Sequence, residues 1–295
     1  MGTDWLADHL DDPDLRIIHV SPNRRVYNRR HIPGAIYSDL HREVALRGTA
    51  PETGDAEREW LIPSAEHTAA VLARWRVVDG DRIVFYDDIG LNRQAIRAYW
   101  LLRLYRYPKA RLHILDGGIE AWRRAGHATT TEVPDAGPGK GRRKAVGTAR
   151  PRPATLGKRD DSIIATYDQV LDWSRESSAS PEAPTRILDV RTAGEWVGTD
   201  LRAKRGGHIP GARNRLFSDL LTDEGTFRPL EEMLSIIRSS GVDPAEVRAT
   251  YCQGGVRAAL AWFVLHELAG YEGVRSYAGS WEEWGNRPDS PIEAP

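Results

Sequence analysis

Short runs of β-branched and aliphatic residues alternate along this chain with stretches whose apolar positions recur every three or four residues. Leu15 to Val20 (LRIIHV), Ile83 to Tyr86 (IVFY), Arg186 to Val190 (RILDV) and Arg248 to Tyr251 (RATY) read as short strands. Asp4 to Leu10, Ser64 to Trp75, Thr166 to Trp173 and Leu230 to Ser239 read as amphipathic helices. This alternation predicts an α/β fold built on parallel sheets with helices on both faces. Ala258 to Leu265 is apolar at every position. It is expected within a buried helix running from about Arg257 to Ala269, with Gly270 placed to end it.

The pattern runs through the chain twice. His31-Ile32-Pro33-Gly34-Ala35 returns as His208-Ile209-Pro210-Gly211-Ala212, and Ser38-Asp39-Leu40 as Ser218-Asp219-Leu220. LRIIHV is matched by RILDV, IVFY by RATY, and Gly117 to Trp122 (GGIEAW) by Gly279 to Trp284 (GSWEEW). Spacings this long fit duplication of a whole domain, not a solenoid. Pro134 to Pro153 is rich in Pro, Gly, Lys and Arg and has no periodicity, as a linker should. The expected organisation is a domain over 1–135, a linker over 136–157 and a second domain over 158–295.

Composition narrows the partners. A formal net charge of -1 over 295 residues calls for no nucleic acid. The basic run Lys140 to Lys144 sits among Gly, Pro and Ala and reads as solvated linker. No apolar run approaches the ~20 residues that span a bilayer. The N-terminus has neither the basic nor the apolar region of a secretion signal. With a single cysteine no internal disulfide can form, so a cytoplasmic location is the expectation and the thiol calls for its own explanation.

That thiol is Cys252, in Thr250-Tyr251-Cys252-Gln253-Gly254-Gly255-Val256-Arg257. It falls between a strand end and the start of the buried helix. The two glycines let the loop turn its N–H groups inward. With the unpaired donors of the first helical turn and the positive end of the helix dipole, they make an anion cradle. Arg257 can add a full charge. All three effects favour thiolate over thiol. A cation at a helix N-terminus also demands an anionic neighbour: a thiolate, an anionic substrate or a nearby acid. The ordinary alternative for a free cysteine is a small buried hydrophobe.

The two HIPGA segments, Asp189-Val190-Arg191, the CQGGVR loop and the closing Tyr277 to Gly285 (YAGSWEEWG) together resemble the rhodanese family of tandem-domain sulfurtransferases, of bacterial type. The resemblance covers essentially the whole chain. It implies two rhodanese-like domains, of which only the C-terminal one is catalytic. Asp87 stands where Cys252 stands in the other copy, so the first copy should be structural. Asp87 itself reads as a solvated or helix-capping aspartate. The family implies that Cys252 takes a sulfur from a small-molecule donor, thiosulfate or 3-mercaptopyruvate. It then yields the sulfur from a persulfide to cyanide or a thiol. Arg257 and the loop residues Gln253, Gly254, Gly255 and Val256 would bind the donor, with neither a metal nor an organic cofactor. A monomer is compatible with this, and nothing in the sequence fixes the oligomeric state.

Two features depart from the best-known family patterns. Animal-type thiosulfate enzymes carry CRKGVT and mercaptopyruvate enzymes CGSGVT, whereas this loop is CQGGVR. Glu195 occupies the position of a donor-binding arginine, which removes that contact, although some bacterial members share the glutamate. Arg202, Lys204 and Arg205 are nearby basic residues that read as surface. Asp189 and Arg191 should tie loops together, His208 should make a fixed turn contact, and Trp281 and Trp284 should pack. Two other function classes compete. A cysteine-dependent phosphatase places five residues between its Cys and Arg. Here four intervene, and removing one shortens the ring by roughly 3.3–3.6 Å of chain. A non-enzymatic sulfur-carrier or regulatory module is the other.

Overall fold

A computed structural model describes residues 1–50, 55–134 and 152–294. The basic run at 140–144 and most of the expected linker lie outside the described residues. The strands are β1 (Leu15–Ser21), β2 (Ile36–Asp39), β3 (Leu46–Ala50), β4 (Asp55–Leu61), β5 (Arg82–Asp87), β6 (Leu112–Ile114), β7 (Ile187–Asp189), β8 (Arg213–Asn214), β9 (Ala249–Tyr251) and β10 (Arg275–Ser276). They form two four-stranded parallel sheets, ordered β2-β1-β5-β6 and β8-β7-β9-β10, and one antiparallel pair, β3-β4. The two parallel sheets share one topology, so the repeat seen in the sequence is a repeat of the fold. Helices between the strands make each copy an α/β layer structure.

The matched motifs do the same physical work in both copies. The Tyr86 hydroxyl, at the end of the central strand β5, accepts the Ile32 N–H at 3.2 Å. The Tyr251 hydroxyl, at the end of β9, accepts the Ile209 N–H at 3.3 Å. Gly34 (φ 80°) and Gly211 (φ 72°) supply the left-handed residue that each HIPGA turn requires. His31 stacks on Tyr27 with ring centroids 3.9 Å apart, and His208 on Trp196 at 3.4 Å. Each imidazole also bonds that residue's carbonyl through Nδ1. The histidines therefore fix turns.

Helix starts follow from their caps. Thr166 accepts the Gln169 N–H while the Gln169 side chain accepts the Thr166 N–H, which opens helix Tyr167–Ser177. Thr192 and Glu195 make the same reciprocal pair at helix Ala193–Val197. The apolar run behaves differently from a single regular helix. It is α-helical over Val256–Trp262 and widens to a π-helix over Phe263–Leu268, before Gly270 (φ 78°) turns the chain away. Ala258 to Leu265 is nonetheless buried nearly throughout, as its composition requires.

The chain separates into two compact units. One comprises Met1–Val44, Pro63–Arg159 and Asp223–Thr226; the other comprises Ala45–Ile62, Asp160–Thr222 and Phe227–Pro295. The division departs from cuts at 135 and 158. The β3-β4 hairpin comes from the first half of the sequence but belongs to the second unit. Within that unit Glu59 contacts Glu282, in helix Ser280–Trp284, and Trp60 contacts Gly254, in the loop after β9. Among the described residues no helix is long and apolar enough to cross a membrane.

Asp87 is not solvated. It is fully buried at the end of β5, and its Oδ2 accepts the Gln94 N–H at 3.2 Å in the first turn of helix Arg93–Leu104. Burial, partly offset by that hydrogen bond, pushes its carboxyl up to about 6.

Candidate active site

Strand β9 ends at Tyr251 and Cys252 follows it, at the carboxyl end of a central parallel strand, where open α/β sheets place their ligands. Gly255 adopts φ 84° and turns the chain into helix Val256–Trp262. Its N–H points at the Cys252 sulfur, 3.1 Å from Sγ. The loop is stapled to the segment after β10. The Cys252 N–H donates to Ser280 Oγ at 3.2 Å, and that hydroxyl donates to the Tyr277 carbonyl at 2.8 Å. The Trp281 and Glu282 N–H groups donate to the carbonyls of Cys252 and Gln253, both at 2.9 Å. The Gln253 side chain donates to the Arg202 carbonyl at 2.9 Å, and Val256 is buried. These bonds leave the cysteine little freedom. Cys252 is only 1% exposed. It is therefore enclosed, yet an amide is aimed at its sulfur.

Of the anionic neighbours expected for Arg257, the structure supplies Glu195. The guanidinium donates to both carboxylate oxygens at 2.7 Å in a fork-to-fork pair. Glu195 Oε2 also accepts the Thr192 N–H at 3.1 Å and its hydroxyl at 3.0 Å. Burial opposes the Glu195 charge. The bonds and charge of Arg257, aided by Thr192, outweigh it and hold the carboxyl down to about 2. Burial likewise works against Arg257, but Glu195 and the neighbouring Cys252 raise its pKa above the ordinary guanidinium value. Arg257 thus enters the site already paired, so its net contribution to the local field is smaller than that of a free cation.

The other basic residues divide cleanly. Arg202 lies 3.2 Å from Asp200 and 3.9 Å from Glu195, and is half exposed. Arg205 is a brace, donating to the carbonyls of Trp284, Gly285, Arg287 and Ser290. The Lys204 N–H is held by the Asn286 side chain. Arg191 is buried, forked onto Asp189 at 2.7–3.1 Å, bonded to the Gly207 carbonyl and stacked 4.5 Å from the Trp281 ring. Asp189 and Arg191 therefore tie loops, and Trp281 and Trp284 belong to the core.

Three contributors were not singled out from the sequence. Ser280 holds the Cys252 amide while adopting φ 52°. Its counterpart in the first copy is Gly118, at φ 57°. A serine where the repeat allows glycine was the available signal. The other two are Glu282, whose Oε1 accepts the Glu59 N–H at 2.9 Å, and Trp60, which packs on Gly254. No local pattern marks contacts between positions about two hundred residues apart.

A rhodanese-like domain matches twice, over residues 2–125 and 170–287. The chain belongs to the rhodanese-like family and has the tandem arrangement of its sulfurtransferases. It is 30% identical over 301 residues to the thiosulfate sulfurtransferase of Corynebacterium glutamicum, covering 99% of this chain and 89% of that protein. It is 31% identical over 300 residues to the sulfur carrier protein TtuD of Thermus thermophilus, covering 99% and 95%. Among solved structures, the 3-mercaptopyruvate sulfurtransferase SseA of Escherichia coli superposes with a TM-score of 0.71. That match covers 96% of this chain and 98% of SseA at 24% identity, and it speaks to the fold.

Proposed function

We propose that this chain is a thiosulfate sulfurtransferase whose Cys252 carries the sulfur. Cys252 thiolate attacks the outer sulfur of thiosulfate. The S–S bond of the donor breaks, sulfite leaves with the electron pair, and Cys252 holds a persulfide. A nucleophile such as cyanide then attacks the outer persulfide sulfur, the second S–S bond breaks, and thiolate and thiocyanate result. 3-Mercaptopyruvate is the alternative donor, with pyruvate as its residue. The carrying observation is the Gly255 N–H directed at Sγ from a loop fixed by Ser280, Trp281 and Glu282. A donor of this kind stabilises a sulfur anion in a site screened from water. Arg257, within electrostatic reach of Cys252, would meet the donor anion in competition with Glu195.

Thiosulfate treatment followed by intact-mass measurement tests this. A gain of about 32 Da on Cys252, lost on adding cyanide as thiocyanate appears, is the expected result for one persulfide sulfur. Cys252→Ser should abolish both. Turnover retained in that variant would refute the assignment. The likeness to a sulfur carrier favours one other reading, in which loading occurs but the sulfur passes to a protein. Loading without release to cyanide or small thiols would select it.

A further inference from the structure

The hairpin of the second unit brings an aromatic side chain onto the Cys252 loop. A Cβ built on Gly254 would fall 1.9 Å from Cδ1, 2.3 Å from Cγ and 2.6 Å from Nε1 of Trp60, so the indole lies flush against the bare Cα. Gly254 does not have a left-handed φ, so its backbone does not require glycine. What excludes a side chain there is Trp60. The residue on its other side, Gly255, donates the amide that reaches Sγ. Trp60 itself holds φ 68°, a conformation that a bulky residue rarely adopts. Strain of this kind persists only where surrounding contacts impose it. Those contacts are present. The Glu59 N–H is bound by Glu282, whose own N–H is bound by the Gln253 carbonyl, so the hairpin and the loop are joined through one residue. Cys252 is meanwhile almost wholly enclosed.

We propose that Trp60 is a specificity-determining residue, a steric wall that admits small nucleophiles to the Cys252 persulfide and excludes bulky thiols. The inference rests on the sulfurtransferase reading. The sulfur is enclosed, and the side chain against its loop is an indole whose neighbour, Glu59, is bonded to Glu282. A cyanide ion needs little room there, whereas a tripeptide thiol needs the ring displaced.

The test compares cyanide with glutathione as acceptors from thiosulfate, in the wild type, Trp60→Phe and Trp60→Ala. Trp60→Ala should raise the glutathione-to-cyanide ratio of kcat/KM by about tenfold or more, the discrimination that a steric change in a pocket carries. Trp60→Phe should change it less. An unchanged ratio in Trp60→Ala overturns the proposal. A second arm tests the contact itself, with circular dichroism confirming that each variant is folded. Gly254→Ala should impair sulfur loading, and adding Trp60→Ala should restore part of it, because the clash is with the indole. No recovery in the double variant counts against the contact. The mass gain on wild-type Cys252 separates the two levels. If it is missing, the sulfurtransferase reading fails; if it is present with an unchanged ratio, only the role of Trp60 does.

Discussion

Replacing Glu195 with Gln removes one charge from a buried pair and keeps the side chain's shape. Glu195 is 1% exposed and the Arg257 side chain 11%. A carboxyl held at about 2 instead of 4.5 binds its proton less tightly by roughly 2.5 pKa units, which corresponds to about 3 kcal/mol of stability at pH 7. Removing one member of a buried pair costs about 3–5 kcal/mol in other proteins, so the two figures agree. Because the folded pKa is depressed, the contribution is complete above pH 4.5 and disappears as pH falls through 2. At pH 3 about 1.4 kcal/mol should remain, by the same linkage. Gln retains the capping role at Thr192, so the helix start should survive. Denaturant unfolding at pH 7 and pH 3 measures the difference. The same variant leaves the Arg257 charge unmatched, so its KM for thiosulfate should fall severalfold. A stability loss that is the same at both pH values would refute the electrostatic account. An unchanged or higher KM in a variant that still loads sulfur would remove Arg257 from donor binding.

Other outcomes follow from the same geometry. Combining Arg257→Met with Glu195→Gln should recover stability relative to Glu195→Gln alone, since no buried charge is left unpaired, while loading slows; unfolding and single-turnover mass measurements check both. Asp87→Asn should stabilise the protein by up to about 3 kcal/mol above pH 6, because a carboxyl raised from 3.8 to about 6 makes the native state lose stability as pH rises between those values. The gain should vanish about a unit below pH 3.8, and a gain independent of pH would disprove the burial argument. Ser280→Ala should be less stable than Ser280→Gly by about 1 kcal/mol, since both lose the hydroxyl but only glycine relieves φ 52°. Thermal unfolding giving the opposite order would show that the strain is absent.

Much of the fold could be read from the repeat alone. The strands at 15–20, 83–86 and 249–251 and the two HIPGA turns are local features, set by burial periodicity and by glycines with positive φ. The placement of Cys252 between β9 and the buried helix was legible for the same reason, since strand, loop and helix are contiguous. What the sequence left open depends on distant pairing. Arg257 had several possible anionic partners, and Glu195, sixty-two residues earlier, is singled out only when β7 and β9 pair in the sheet. The burial of Asp87 depends on Gly118 packing over its carbonyl, with a Cβ there only 2.7 Å from that oxygen. The hairpin's membership of the second unit has no periodic signature, because contacts such as Glu59 with Glu282 and Trp60 with Gly254 join positions far apart in sequence.

The two copies show which differences matter for chemistry. Both have the same strand order, the same tyrosine holding HIPGA, and a left-handed residue at the equivalent of position 280. They diverge where a sulfur could be carried. The first copy places a carboxyl at the end of its central strand and glycine at 118, so no side chain meets the Asp87 amide from there. The second places a thiol after its strand and accepts a strained serine, whose hydroxyl takes the Cys252 N–H and passes the constraint to Tyr277. Glycine would satisfy that backbone at lower cost, as it does in the first copy. The strained serine is therefore explained by what its hydroxyl holds, and the residue it holds is the cysteine proposed to carry the sulfur.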